Sequence, residues 1–214
     1  NHSYNQQLFT EEELSAQGIV PGTVINSLSF NYTYATSTVR PVTMWLATSE
    51  VTSLSSSFIS INGFTQVFSS TCQEFNNSNE GWNTITLDQP FTYTGGSLVL
   101  ASLMNKESAD DATTCFTTYS STSRFQYTTN SGKARYYQVD GTTSITFTEE
   151  GFPKTTGSAL SGTSSSYRNN IKFNVVISIC SDEVACVAPT GLQVSDITPN
   201  SAVLTWTAGA EGQT

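Results

Sequence analysis

Leu98-Val99-Leu100-Ala101-Ser102-Leu103 decides the fold class. It is a continuous apolar run that follows the turn pair Gly95-Gly96, and it reads as a strand covered on both faces. Around it lie segments of strict alternation. Leu28, Phe30, Tyr32 and Tyr34 alternate with Ser29, Asn31 and Thr33. Val42, Met44 and Leu46 alternate with Thr43, Trp45 and Ala47, and Ile85 and Leu87 with Thr84 and Thr86. The longest series is Ile171, Phe173, Val175, Ile177 and Ile179. Period two places such residues on one face of a strand. Shorter strands are expected near residues 64–68, 113–119, 124–128, 135–139 and 144–147. Turn signals at Pro21-Gly22, Asn62-Gly63, Ser131-Gly132 and Asp140-Gly141 punctuate the series. Many brief strands with such punctuation predict an all-β antiparallel sandwich of jelly-roll-like layout.

Helix signals are confined to Thr10-Glu11-Glu12-Glu13-Leu14. Thr10 with Glu13 three residues on forms a capping box, and the acidic first turn suits the helix dipole. Gly18 and Pro21 stop the helix early. The three glutamates therefore read as a helix start and not as a metal site.

Composition agrees. Of 214 residues, 31 are Ser and 33 Thr, while charged residues make up only 12%, so the solvent faces are expected to be Thr-rich and not Lys/Glu-rich. The formal net charge of −9 denies the basic footprint that nucleic-acid binding needs. No apolar run is long enough to span a membrane. The opening Asn1–Gln7 is polar and without a leader pattern, which by itself does not fix the compartment. Cys72, Cys115, Cys180 and Cys186 lack zinc-site spacing. An even count in a Lys-poor chain favours an oxidising, extracytoplasmic location. Cys180–Cys186 with Cys72–Cys115 is the preferred pairing of three; four unpaired thiols is the other reading.

Domain boundaries are expected at 1–180 for the sandwich, 181–187 for a linker and 188–214 for a second pattern. From Ala188-Pro189-Thr190-Gly191-Leu192 to Thr205-Trp206 the chain resembles the opening of a fibronectin type III domain. Leu192 and Val194 stand on its first strand, and Ala202, Leu204 and Trp206 alternate on its second. Such a domain needs ~100 residues, so two strands cannot bury Trp206, and a domain cut short inside a larger protein is expected.

The first 180 residues resemble β-sandwich modules of secreted and surface proteins of Bacteroidota, related in layout to cleaved-adhesin and MAM-like jelly rolls. The carrying segments are Ser3–Thr10, Gly18–Phe30, Trp45–Thr48, Arg168–Phe173 and, above all, Gly81-Trp82-Asn83-Thr84-Ile85-Thr86-Leu87-Asp88-Gln89-Pro90-Phe91-Thr92-Tyr93. The resemblance implies an extracellular or cell-surface adhesive or accessory domain, with further fibronectin type III repeats beside it. It supplies no catalytic motif. Read structurally, Trp82 covers one end of the core, Pro90 ends a strand, and Phe91 and Tyr93 share a face.

A Ser-His-Asp set needs a positioned histidine, and the only one, His2, is expected in a mobile terminus. Asp88, Glu74, Glu80, Asp140, Glu149 and Glu150 offer carboxylates, but no spacing singles out a hydrolytic pair. The expectation is thus no enzyme. Asn105, Glu107, Asp110 and Asp111 follow the buried strand with the oxygen ligands a structural calcium would use; a solvated acidic loop is the plainer reading. No other cofactor is expected. A glycan site would use exposed aromatics, with Asn, Asp and Arg for the hydroxyls: Tyr136 and Tyr137 beside Arg135, the run Tyr167, Arg168, Asn169 and Asn170, and Tyr119 are the candidates. Adjacent strand residues face opposite sides, so one of Tyr136 and Tyr137 must be outside the core. Residues 155–167, rich in Gly and Ser, are expected to form a mobile loop beside it. The leading expectation is a non-catalytic surface module that binds a glycan or protein; a structural spacer of a larger secreted enzyme is the alternative.

Overall fold

The computed structural model describes residues 2–105, 125–140, 143–176 and 190–207. It is an all-β antiparallel sandwich. In chain order its strands are β1 (His2–Phe9), β2 (Val24–Asn31), β3 (Thr38–Ser49), β4 (Thr65–Phe75), β5 (Trp82–Thr92), β6 (Ser97–Met104) and β7 (Tyr127–Val139). There follow two-residue β8 (Thr146–Phe147) and β9 (Pro153–Lys154), then β10 (Thr163–Asn169) and β11 (Ile171–Val176). One sheet has six strands in the order β10-β7-β1-β6-β3-β4; the facing sheet has three, β11-β2-β5.

The main core lies between the sheets. Phe9, Val42, Met44, Leu46, Leu98 and Leu100 meet Ile25, Leu28, Phe30, Ile85 and Leu87 there. A register shift between Ile25 and Ser27 reverses the side-chain parity of β2, so Ile25 and Leu28 both point inward. Leu98 and Leu100 belong to this core, while Val99 and Ala101 belong to two smaller clusters on the opposite face. β6 is thus covered on both sides, as its sequence requires.

That second cover takes the outer face of the large sheet out of solvent over β1 and β6. Residues 51–64 and 143–162 lie across it and bring Leu54, Phe58 and Ile145 down onto Tyr4, Leu8, Val99 and Ala101. Trp45, outward on β3, meets Phe147 edge-on at 5.8 Å between ring centroids. Thr-rich solvent faces do occur on the small sheet, where Ser29 Oγ lies 2.8 Å from Thr84 Oγ1.

Four expectations are corrected. The N-terminal segment is not a loose end: β1 sits between β7 and β6, and His2 is 1% exposed with Nδ1 3.1 Å from Asn105 Oδ1. Residues 163–167, the end of the segment expected as a loop, instead belong to the edge strand β10. Trp82 does not plug the core; it pairs with Asn31, whose neighbour Phe30 points inward, and its ring lies under the Lys172 ammonium at 3.7 Å. β5 also continues through Pro90. The expected helix is present as α1 (Glu11–Ser15), with Glu13 N donating to Thr10 Oγ1 at 3.3 Å and Thr10 N to Glu13 Oε2 at 2.9 Å.

The chain divides into two compact units, Asn1–Val176 and Ile177–Thr214. In the second, β12 (Thr190–Ser195) pairs with β13 (Val203–Thr207), and Val194 faces Leu204 across the ribbon. Leu192, Val194, Leu204 and Trp206 are all exposed. The proposed linker at 181–187 and the strand expected at 113–119 lie outside the described residues. No described helix is long and apolar enough to cross a membrane.

Candidate binding hollow

The six-stranded sheet is wider than its three-stranded partner. Its β7–β10 end projects past the main core and leaves inward-facing side chains open. Cross-strand partners share a face. Asn5 is paired with Tyr136, Gln7 with Ala134, and Ser3 with Gln138. On the other side Tyr136 is paired with Thr163 and Ala134 with Ser165. Asn5, Gln7, Ala134, Tyr136, Gln138 and Ser165, together with Tyr127, Tyr167 and Asn169, line an open hollow of about 470 Å³.

Three tyrosines dominate it. Tyr127, Tyr136 and Tyr167 are 45%, 38% and 53% exposed. The Tyr127 and Tyr167 rings lean on one another, 4.7 Å apart at the centroids and tilted by 55°. The carboxamides of Asn5, Gln7, Gln138 and Asn169 line the same hollow. Gln7 is fixed: its Oε1 accepts from the Asn169 backbone N–H at 2.9 Å. Rings flanked by amides make a surface that can stack on a flat ligand and hydrogen-bond its hydroxyls.

Tyr136 is the exposed member of its pair and Tyr137 packs against the outer cluster with Tyr4 and Phe58, which matches the alternation rule. The two arginines have other work. Arg135 is among the residues that line the hollow, but it is 5% exposed and its guanidinium is turned to the covering segments. Its Nη1 donates to Leu54 O at 3.1 Å and Ser55 O at 2.9 Å, its Nη2 to Gly162 O at 3.0 Å, and its Nε to Ser161 O. It fastens both covering segments to β7.

Arg168 ties β10 to β1 and α1. Its Nη1 donates to Leu8 O at 2.6 Å and to Glu13 Oε2 at 2.9 Å, and its Nη2 to Glu13 Oε1 at 3.0 Å. Its guanidinium also covers the Phe9 ring at 4.2 Å. Partial burial alone would raise the Glu13 carboxyl. The Arg168 hydrogen bonds and charge, the Thr10 N–H and the Asn130 amide outweigh it and hold the group at about 2.

Asn105, a candidate calcium ligand, uses its amide within the fold: Nδ2 donates to Ile145 O at 2.7 Å and Oδ1 accepts from Ile145 N at 3.0 Å. Glu107, Asp110 and Asp111 lie outside the described residues. Among the described residues no group of three or more His, Cys, Asp or Glu could hold a metal ion. Cys72, the one described cysteine, is disulfide-bonded; Cys115, Cys180 and Cys186 lie outside the described residues, so the pairing stays open.

Asn169, a candidate from sequence, lines the hollow; Tyr127 and the amides Asn5, Gln7 and Gln138 were missed from sequence. Only strand pairing brings residues 5, 136 and 165 together, and no local pattern carries it. Comparison with family models, with curated proteins and with solved structures found no match for the chain.

Proposed function

We propose that the sandwich is a non-catalytic binding module of an extracellular or cell-surface protein, and that it takes a short, uncharged glycan in the hollow. The observation that carries this reading is the placement of three exposed tyrosine rings on one sheet face around a row of carboxamides. Stacking needs bare rings, and sugar hydroxyls need neutral donors and acceptors. Both are there, and the nearest guanidiniums, Arg135 and Arg168, are turned to backbone carbonyls and to Glu13. The acidic, Thr-rich composition supports an extracytoplasmic home. The exposed apolar residues of the β12–β13 ribbon support its reading as the start of a fibronectin type III domain, which would tether the module.

The test is a glycan array followed by calorimetry on the leading sugar. Tyr136→Ala and Tyr167→Ala should each weaken binding by about fivefold or more, since truncating an anchoring aromatic costs ~1 kcal/mol or above. Silence across a broad array would leave the module as a structural spacer.

A further inference from the structure

The hollow does not end at the tyrosines. Asn5, Gln7 and Asn169 line it on one side and, on the other, line an internal cavity of about 30 Å³. Ser102 supplies a hydroxyl there. The remaining wall is apolar, made by Phe30, Met44, Phe75, Met104 and Phe125.

The sheet register shows how the two spaces follow one another. Tyr136 is paired with Asn5, Asn5 with Ser102, and Ser102 with Met44. These four side chains form one row across four strands on one face, each step ~4.8 Å. From outside to inside the row reads aromatic ring, amide, hydroxyl, thioether. Among the described residues, the Asn5 amide nitrogen and the Asn169 side-chain amide have no hydrogen-bond partner, while Gln7 is held in place.

We infer that the site selects a 2-acetamido sugar, the pyranose ring on Tyr136 and the acetyl methyl in the small apolar cavity. This rests on the glycan reading above. The acetamido group is a planar amide ending in a methyl. Its carbonyl and N–H match the unpartnered donors and acceptors of Asn5 and Asn169. A cavity of about 30 Å³ holds one methyl or one water. A water there would face mostly carbon and sulfur, whereas a methyl finds dispersion partners on the same wall. A sugar with a hydroxyl at that carbon leaves the cavity unfilled and the amides paired only with solvent. The one cation that lines the hollow, Arg135, already donates to four backbone carbonyls, which disfavours uronic and sialic acids, whose carboxylate would find no unengaged cation there among the described residues.

The experiment is calorimetric titration of the whole chain with chitotriose and with cellotriose, which share linkage and ring shape and differ in the acetamido group. Chitotriose should bind at least tenfold tighter. Ser102→Val, which fills the cavity from its floor, should bring chitotriose down to the cellotriose level and leave cellotriose unchanged; Tyr136→Ala should weaken both. Should Ser102→Val fold poorly, saturation-transfer NMR on the unmodified protein decides: the acetyl methyl protons should receive the strongest saturation of any in chitotriose. Equal affinity for the two trimers, or saturation strongest on ring protons, overturns the acetamido assignment and leaves the glycan reading standing. Binding of neither trimer overturns this assignment, and the array then decides the broader reading.

Discussion

The Gln6 carboxamide holds Ile59 as a neighbouring strand would: Nε2 donates to Ile59 O at 2.6 Å and Oε1 accepts from Ile59 N at 2.8 Å. Asn105 does the same for Ile145, and Asn83 for Asn76, with bonds of 2.7 to 3.0 Å. Each side-chain amide supplies both halves of a ladder rung to a segment that has no strand beside it. This explains how irregular segments can roof one face of a sheet without leaving buried backbone groups unpaired.

Gln6 is fully buried, so its removal strands Ile59 N–H and C=O in an apolar setting. Gln6→Leu should cost about 2–3 kcal/mol, most of it the unmet polar groups and not the lost contact. For a unit of this size that lowers the melting temperature by roughly 5–10 °C. Amide exchange at Ile59 should accelerate while exchange in β6 stays slow. Unchanged protection at Ile59 would show that Leu54 and Phe58 hold the segment by packing alone.

Arg135 was a ligand candidate from sequence, and its position assigns it to stability. Arg135→Ala leaves four backbone carbonyls without their donor, for an expected loss of about 3 kcal/mol or more. Arg135→Lys should recover only part of this, because an ammonium cannot span the same fork. Glycan affinity measured well below the melting temperature should match the parent for Arg135→Lys. A selective loss of affinity with stability intact would return Arg135 to the binding site.

Much of the sandwich was legible and the hollow was not, for one physical reason. Leu98–Leu103 announces two-sided burial by itself, and Thr10 with Glu13 announces a helix start, because those signals are local. β1 has the same period-two burial, but Gln6 stands between Tyr4 and Leu8 on its buried face, so the alternation is polar in letters and buried in fact. β10 is nearly all Ser, Thr and polar residues because it is an edge beside an open hollow. The alternation rule could have said more: Arg135 and Tyr136 are adjacent on one strand, so their side chains point to opposite faces. Trp82 misled because an indole outside the core is satisfied by the Lys172 cation.

The Glu13–Arg168 pair makes stability depend on acid. The Glu13 carboxyl is held at about 2 in the fold against 4.5 unperturbed. A lowered folded value means the pair stabilises fully above pH ~4.5 and loses that contribution as pH falls toward ~2. The group is about a third exposed, so solvent screening reduces the gain to about 1 kcal/mol. Glu13→Gln should therefore unfold more easily than the parent at pH 7, and denaturation curves of the two should converge as pH drops below 4.5. A gap that stays constant from pH 7 to 2 would assign the difference to helix capping alone.

Gly162 links the covering segment to the hollow. Its φ is +62°, a conformation side chains rarely adopt, and an added Cβ would run into the Phe58 ring edge and come within 2.8 Å of Tyr136 O. Its own carbonyl receives Arg135 Nη2, and the next residue, Thr163, is the strand partner of Tyr136. Gly162→Ala therefore strains the backbone and pushes on the strand that carries the central tyrosine. The expected cost is about 1–3 kcal/mol. Because the displacement reaches Tyr136, glycan affinity should fall as well, whereas Gly157→Ala, where an added Cβ meets open space, should carry only backbone strain and leave affinity unchanged. Measuring both variants by thermal melting and by titration separates the two effects, and equal affinity losses in the pair would deny any coupling between Phe58, Gly162 and the hollow.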